Sequence, residues 1–213
     1  MSSIRLILGS QSPRRKELLD KMGLAGAYEV VPSGFDEYLD DERLPNEVAE
    51  ELGYGKALWV AERNPEAWVI GSDTIVTVNG KQLAKAATIE EAREMLKLCA
   101  ERPNTVTTSI ALVQVILEPG GNHIVKHHIG HEETVVHFKP YDDEAIETYL
   151  ATGDWKDKAG AWGIQSGAHT LIDYIQGNYD TVVGLPTRTL AEYFMRVGIE
   201  ATPVDLESPV PSR

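Results

Sequence analysis

The sequence predicts an α/β protein with a mixed β-sheet and a binding cleft. Apolar runs suited to buried strands alternate along the chain with segments of helical periodicity, which is the first observation behind this prediction. The second is a pair of long strand-like segments, 105–117 and 123–138, joined by a turn that contains one proline and two glycines. They predict a central antiparallel hairpin. In folds of this class a cleft between two lobes is the usual place for a ligand.

The individual elements follow from local patterns. Residues 4–8 form a continuous apolar run, which is typical of a strand buried on both faces. Ser12 and Pro13 provide an N-cap and a first-turn proline for the helix that comes next, and Thr88 with Glu91 forms a capping box for a later helix at 89–100. The other predicted elements are strands at 28–32, 68–78 and 170–175 and helices at 45–63, 142–152 and 186–197.

The length of 213 residues fits one domain of two lobes or two small domains. The sequence contains no internal repeat and no low-complexity segment that would divide it. We predict a single domain over residues 1–200. Because the end of the chain carries several prolines and little apolar periodicity, we predict a flexible tail over residues 201–213.

Charge and composition exclude several classes of protein. The formal net charge is −13, whereas general nucleic-acid and anionic-membrane binders need a broad cationic face. No apolar run reaches the roughly 18 to 20 residues of a membrane span. The single cysteine, Cys99, cannot form an internal disulfide, which favours a reducing compartment. The sequence therefore predicts a cytoplasmic protein without nucleic-acid or membrane partners, and leaves room for a small anionic ligand in a local pocket.

The start of the first predicted helix has an unusual charge pattern. Arg14, Arg15 and Lys16 stand in a first turn, where the helix dipole favours acidic residues instead. Free backbone N–H groups, the hydroxyls of Ser10 and Ser12 and the arginine forks together make a good phosphate cradle. The alternative is a basic turn that points into water. The segment lacks the spaced glycines of a Walker A loop.

A second irregular position is Asp73, which interrupts the apolar strand predicted over 68–78. An isolated buried carboxylate is costly, so Asp73 needs a metal ion, a cation or a proton. One interpretation is a catalytic carboxylate that binds Mg²⁺ or activates water. The other is an aspartate that bonds to neighbouring backbone at a bulge beside Gly71.

Two further segments carry candidate functional groups. Asp36 and Glu37 could supply a second carboxylate, although acidic loops are commonly just solvated. The glycine-rich stretch 153–165 could approach a ligand closely, with a tryptophan, Trp155 or Trp162, stacking on a base and Gln165 bonding to its edge. The alternative for this stretch is a structural loop with core tryptophans.

Six stretches of the sequence, in register, resemble the Maf family of nucleoside-triphosphate pyrophosphatases. They are LILGSQSPRRKELL at 6–19, SGFDE at 33–37, YGKA at 54–57, VIGSDTIV at 69–76, DKAGAWGIQ at 157–165 and GNYDTVVGLP at 177–186. The resemblance covers about residues 4 to 200 and makes 1–200 a Maf-like catalytic domain. It implies an elongated, two-lobed mixed sheet with flanking helices around a central cleft, of the inosine-triphosphatase type, in a protein that is often a homodimer.

The resemblance also implies roles for particular residues. The family's catalytic acid falls on Asp73, which together with Glu37 would hold a divalent ion, Mg²⁺ or Mn²⁺. The positions that bind substrate fall on Ser10, Arg14, Arg15, Lys56, Thr74, Lys85 and Gln165. The sequence departs from the family pattern at Ala86, where a proline usually follows the lysine.

The implied activity is metal-dependent hydrolysis of a nucleoside triphosphate to a monophosphate and pyrophosphate. Arg14, Thr74 and Gln165 match the specificity positions of the family branch that acts on dTTP and UTP. We therefore predict hydrolysis of dTTP, UTP and related or modified pyrimidine triphosphates, a house-cleaning role against non-standard nucleotides. Two alternatives stay open: a purine or 7-methyl-GTP pyrophosphatase, and a non-catalytic nucleotide-binding regulator of cell division.

Overall fold

The structure is a computed structural model that describes residues 4–212. Its strands are β1 (Leu6–Leu8), β2 (Glu29–Val30), β3 (Trp68–Gly71), β4 (Thr74–Val78), β5 (Lys81–Leu83), β6 (Asn104–Leu117), β7 (His123–Phe138) and β8 (Ile172–Gln176). Its helices are α1 (Pro13–Leu19), α2 (Pro45–Ala61), α3 (Ile89–Glu101), α4 (Asp143–Ala151), α5 (Tyr179–Val183) and α6 (Thr187–Val197). Within the described residues, none of these helices has the length and apolar character needed to cross a membrane.

The strands form one mixed sheet, so the predicted α/β class with a mixed sheet and flanking helices is confirmed. β1 lies parallel to β2 and β3, whereas the other pairings are antiparallel. The strand order is β2-β1-β3-β6-β4-β5, and β7 pairs with β6 and with β8. The predicted central hairpin is β6 with β7, in register from Asn104 opposite Val136 to Leu117 opposite His123.

The sheet is buried on both faces, which explains why its inner strands read as continuous apolar runs. Along β1, Leu6 and Leu8 belong to a large core cluster that also contains residues of α1, α3, α4 and α6. Ile7, which points to the opposite face, packs in a second cluster with Val60 and other residues of α2. Helices therefore cover both faces, and α2 alone covers much of one.

The single strand predicted over 68–78 is wrong, because the structure has two strands there, β3 and β4, with a break at Ser72 and Asp73. Both halves pair with β6, β3 along 111–114 and β4 along 104–108. Ser109 bridges the gap: its backbone N–H donates to the Asp73 carbonyl at 2.9 Å, and its Oγ accepts from the Asp73 N–H at 3.0 Å. The backbone at Asp73 is thus satisfied without regular pairing, and its side chain is directed away from the ladder.

Two short elements were not predicted from the sequence. β5 follows the turn at Asn79 and Gly80 and pairs with β4. α5 has five residues, several of them β-branched, and it ends at Gly184 in a left-handed conformation with φ of 113°. Elements this short carry too little periodicity to be recognised in a sequence.

The C-terminal segment lies along the body of the protein. The Val204 N–H donates to Thr187 Oγ1 at 3.1 Å, the Pro211 carbonyl accepts from the Ile175 N–H at 2.9 Å, and Val210 is buried. These contacts show where the segment lies, while its flexibility stays a prediction. The predicted domain of two lobes also stays a prediction, and residues 1–3 and 213, at the ends of the predicted domain and tail, lie outside the described residues.

Candidate active site

A cavity of about 940 Å³ is lined by the loop before α1, the segment 32–39, α2, the β3–β4 break and the segment 157–166. Its volume falls within the range of small-molecule sites, about 300–1,000 Å³. The fold places all the residues singled out by the resemblance around this one cavity. They are Ser10, Arg14, Arg15, Glu37, Lys56, Asp73, Thr74, Lys85 and Gln165.

Four charged side chains, Glu37, Lys56, Asp73 and Lys85, form a cluster that we call the charged floor. The Lys56 ammonium donates to Asp73 Oδ1 at 2.5 Å and to Glu37 Oε1 at 2.6 Å. Lys85 Nζ donates to Glu37 Oε2 at 2.9 Å. The side chains of Lys56 and Asp73 are only 8% and 12% exposed, so the Asp73 carboxylate is paired with a cation in a nearly dry environment.

Glycines explain how Lys56 comes so close to Asp73. A Cβ on Gly71 would overlap the Gly53 carbonyl and lie 2.8 Å from the Cβ of Ala57, and a Cβ on Gly53 would overlap the Ser109 hydroxyl. These glycines let α2 approach the end of β3 more closely than any other residue would allow. Gly53, which weakens α2 by helix propensity, is therefore needed for this close packing, and Lys56 lies three residues further along the same helix.

Glu37 lies in a segment without helix or strand, and it is held there by charge. Burial by itself would raise the pKa of the Glu37 carboxyl, but the hydrogen bonds from Lys56 and Lys85 outweigh it and lower the pKa to about 2. The ring of Phe35, two residues before Glu37, packs against Gly55 in space that a Cβ there would occupy. This contact fixes the chain next to Glu37. Glu37 is thus an ionised carboxylate at neutral pH, aimed at the same ammonium as Asp73.

Ser10, Arg14 and Arg15 line the same cavity and form a surface that we call the basic wall. Arg15 donates through Nε to the Gly184 carbonyl at 2.8 Å, through Nη1 to Ser10 Oγ at 3.1 Å and through Nη2 to Thr74 Oγ1 at 3.3 Å. All three acceptors are neutral oxygens. Burial lowers the pKa of both Arg14 and Arg15, yet arginine stays protonated at any physiological pH. The wall therefore carries positive charge toward the cavity.

The predicted N-cap of α1 is confirmed, because the Ser12 side chain accepts from the Arg15 N–H at 3.5 Å. The first turn of α1 contains no acidic residue. The positive end of the helix dipole and the two arginines thus act in the same direction, toward an anion in the cavity.

The segment 153–165 combines both interpretations of its sequence. Trp162 is 5% exposed, belongs to the core and packs edge-on against Phe138 with ring centroids 5.3 Å apart. Gln165 and Lys158 line the cavity instead, and Gln165 is exposed there. Burial, followed by the charge of Arg14, lowers the pKa of Lys158. The tryptophan is a core residue at the cavity wall, while the polar residues face the ligand space.

Sequence reasoning missed the residues that hold the site together. The Gly184 carbonyl accepts from Arg15 and also from Ser72 Oγ at 3.1 Å. A backbone carbonyl in this role cannot be predicted from the pattern of side chains. Thr108 Oγ1 donates to the Thr181 carbonyl at 2.7 Å and accepts from the Thr74 hydroxyl at 3.1 Å. The hydroxyl residues at 107–109 inside an otherwise apolar strand were the available signal for this second support.

The chemistry of the floor fits a magnesium or manganese ion that is shared with a substrate. Among residues 4–212 no group of three or more histidine, cysteine, aspartate or glutamate side chains is arranged to hold a metal ion. Glu37 and Asp73 supply two carboxylates that meet at one ammonium. Mg²⁺ is commonly held in this way, by one or two carboxylates together with substrate phosphates. The donor set therefore suits an ion that arrives with a phosphate ligand.

Fold and site together define an α/β protein with a cleft built for an anionic ligand. The chain belongs to the family of Maf-like proteins, whose family model matches residues 5–197. A dTTP/UTP pyrophosphatase of Symbiobacterium thermophilum is 42% identical over 194 residues, which cover 91% of this chain and 94% of that protein. A dTTP/UTP pyrophosphatase of Pyrococcus furiosus is 38% identical over 184 residues, covering 85% of this chain and 90% of that one.

Solved structures give a weaker likeness. A HAM1 protein from Coxiella burnetii shares 14% sequence identity and a TM-score of 0.43, over 91% of this chain and 99% of that chain. At that TM-score the likeness carries no argument about function.

Proposed function

We propose that the protein hydrolyses nucleoside triphosphates between the α- and β-phosphates, releasing a monophosphate and pyrophosphate, with preference for dTTP and UTP. The observation that carries this proposal is the cavity itself, which is lined both by the basic wall and by a floor of paired carboxylates and ammonium groups. Relatives named dTTP/UTP pyrophosphatase at about 40% identity support the choice of reaction and substrate. A regulator that only bound nucleotide would not need the carboxylates of the floor.

The basic wall binds the triphosphate chain. Arg15 is already oriented by its three bonds to neutral oxygens, so its remaining N–H groups need little reorganisation to donate to a phosphate oxygen. Arg14 and the Ser10 hydroxyl lie on the same wall and add a second fork and a donor. Charged donors held in a partly buried cavity stabilise a phosphate far more than the same groups would in water.

The charged floor carries the chemistry. Asp73 orients the attacking water and accepts its proton, because it is a buried carboxylate that lines the cavity. Lys56 and Lys85 exchange part of their bonding to carboxylates for bonding to phosphate oxygens as negative charge develops on the leaving pyrophosphate. A Mg²⁺ or Mn²⁺ ion held by Glu37 and Asp73 would supply charge neutralisation between phosphate oxygens and carboxylates.

Base selection is assigned to Arg14, Thr74 and Gln165. Thr74 Oγ1 accepts from Arg15 and bonds to Thr108, so the first residue of β4, directly after Asp73, links the basic wall to β6. Gln165 presents an amide at the cavity, which can both donate to and accept from a pyrimidine edge. The homodimer and the cytoplasmic location predicted above remain part of the proposal and rest on the family resemblance and the single cysteine.

A nucleotide panel tests this function. Purified protein is incubated with Mg²⁺ or Mn²⁺ and each of dTTP, UTP, CTP, ATP, GTP, ITP and 7-methyl-GTP, and released pyrophosphate is measured. The proposal predicts the highest kcat/KM for dTTP and UTP. A clear preference for 7-methyl-GTP or for purines would overturn the substrate assignment, and nucleotide binding without pyrophosphate release from any of them would indicate a regulator.

A further inference from the structure

Residues 31–44 join β2 to α2 without forming a helix or a strand, and we call them the Glu37 loop. Connections of this length without regular structure are uncommon in compact domains and are commonly functional. The loop carries Glu37, whose two carboxylate oxygens both belong to the charged floor. A residue that fixes the loop therefore also fixes the position of that carboxylate.

Gln82, the middle residue of β5, anchors the Glu37 loop through its buried side chain. It is 4% exposed, and its Nε2 donates to the Asp40 carbonyl at 2.6 Å and to the Arg43 carbonyl at 3.3 Å. Its Oε1 accepts from the Asp40 N–H at 3.3 Å. Its own backbone N–H donates to Asp41 Oδ1 at 2.8 Å. The side-chain amide of Gln82 thus forms hydrogen bonds with backbone groups of Asp40 and Arg43, in a part of the loop that does not pair with a strand.

Lys56 and Lys85 hold the loop at Glu37 itself, and a further tie to the body, made by Arg43, is weaker. Arg43 Nη1 bonds to Glu51 on α2 at 2.8 Å, but both side chains are exposed, and solvent screening makes ion pairs of that kind weak. Buried hydrogen bonds whose loss leaves backbone groups unpaired cost more. Lys85 lies three residues after Gln82 and bonds to Glu37 directly. Lys85 therefore holds the loop at Glu37, and Gln82 holds it at residues 40–43.

We propose that Gln82 is a positioning residue, which holds the Glu37 loop against the cavity so that the Glu37 carboxylate is in place before substrate arrives. The effect on catalysis rests on the function proposed above, whereas the anchoring of the loop does not. Residues that orient a metal ligand or charged group in this way commonly account for about 10- to 100-fold in activity.

The anchoring is tested by hydrogen exchange in the full-length protein. In Gln82→Met, which keeps the side-chain length and loses its hydrogen bonds, amides of residues 38–44 should exchange at least about fivefold faster. Gln114→Met is the matched control, because Gln114 also donates from a strand to a loop carbonyl, that of Glu66 at 2.9 Å, at a place remote from the cavity. Unchanged exchange in 38–44, or equal acceleration there in the control, would overturn the anchoring.

The catalytic consequence is tested by a double-mutant cycle with Glu37→Gln. Gln82→Met should lower kcat/KM about 10-fold or more in the wild-type background and less than about twofold in the Glu37→Gln background, because its effect passes through Glu37. Equal losses in both backgrounds would mean that Gln82 acts elsewhere and would overturn the proposal. Gln82→Glu, which keeps the acceptor and loses the donor, is the second variant, and it should show the same pattern.

These outcomes separate this inference from the proposed function. If the wild-type protein releases no pyrophosphate, the proposed function fails, while the hydrogen-exchange result still decides whether Gln82 holds the loop. If the wild-type protein is active and Gln82→Met leaves both exchange and kcat/KM unchanged, the proposed function stands and the role of Gln82 is refuted.

Discussion

The basic wall and the charged floor line the same cavity, yet they hold their cations in different ways. On the wall, Arg15 bonds to a carbonyl and two hydroxyls, which are neutral. On the floor, Lys56 bonds to two carboxylates, those of Glu37 and Asp73. The wall thus keeps positive charge available for an anion, while the floor balances its charges internally.

This difference indicates a division of work. A cation that is oriented by neutral acceptors can bind a phosphate at once, because no ion pair has to be broken first. A cation that lies between two carboxylates can bind phosphate only by giving up part of that pairing. It therefore binds the transition state, in which negative charge develops on the phosphate oxygens, more strongly than the bound substrate. We therefore expect substitutions on the wall to raise KM and substitutions on the floor to lower kcat.

The largest expected effect belongs to Asp73. Asp73→Asn should lower kcat about 10²- to 10⁴-fold, because a positioned acid–base group is lost, and leave KM for dTTP within about threefold, because the wall is intact. Steady-state kinetics measures both constants. Asp173→Asn, an exposed aspartate on β8, is the control and should retain full activity. Full activity of Asp73→Asn would contradict the role of the floor.

Lys56→Met should lower the free energy of unfolding by about 3 kcal/mol, because it leaves the buried Asp73 carboxylate without its cation. Denaturation in urea measures the loss. Lys97→Met removes an exposed lysine from α3 and should cost less than about 1 kcal/mol. The double variant Lys56→Met/Asp73→Asn should recover much of the stability; a double variant as unstable as Lys56→Met would show that the ion pair is not the cause.

Arg15→Lys should raise KM for dTTP about 10- to 100-fold with little change in kcat, because an ammonium cannot reproduce three bonds to neutral oxygens and a fork toward phosphate. Initial rates over a range of nucleotide concentrations measure the split. Arg188→Lys, at an exposed position on α6, should behave as wild type. If Arg15→Lys lowered kcat and left KM unchanged, the proposed difference between a wall that binds substrate and a floor that carries the chemistry would be contradicted.

The smallest expected effect concerns Glu37 and pH. Its pKa lies at about 2 in the folded protein, below the ordinary 4.5, so the ionised form stabilises the fold above about pH 4.5 and this contribution is lost as the pH falls toward 2. Because its side chain is 48% exposed, screening reduces the contribution to about 1 kcal/mol. Glu37→Gln should lose that amount at pH 7, and the difference from wild type should shrink below pH 4.5.

The matched control for this pH series is Glu42→Gln, which removes an exposed carboxylate from the same loop. Its unfolding free energy should follow that of the wild-type protein at each pH. A difference between Glu37→Gln and wild type that stays constant down to pH 2 would contradict the pairing of Glu37 with Lys56 and Lys85.

Site residues are easiest to predict from the sequence where a residue type is unfavourable for the local secondary structure. Asp73 is conspicuous because a carboxylate interrupts an apolar strand, and Arg14 and Arg15 because cations occupy a helix start. Glu37 is weakly marked, since an acidic residue in an acidic loop is ordinary; only the two lysines that reach it from α2 and from the end of β5 distinguish it.

Other features depend on tertiary contacts that no local pattern contains. Gly53 weakens the helix by propensity and is required there because a Cβ at this position would overlap the Ser109 hydroxyl on β6. The break between β3 and β4 depends on Ser109, which lies on a strand more than thirty positions further along the chain. Gln82 is one polar residue in a three-residue strand, and its burial under the Glu37 loop is visible only in the fold.

The central claim is that the cavity cleaves a nucleoside triphosphate between its α- and β-phosphates, and phosphorus NMR of the products tests it most directly. The protein is incubated with dTTP and Mg²⁺ or Mn²⁺, and the spectrum is followed until substrate is consumed. The account predicts resonances of dTMP and pyrophosphate in equal amounts, with no dTDP at any time. Accumulation of dTDP with inorganic phosphate, or recovery of intact dTTP, would contradict it.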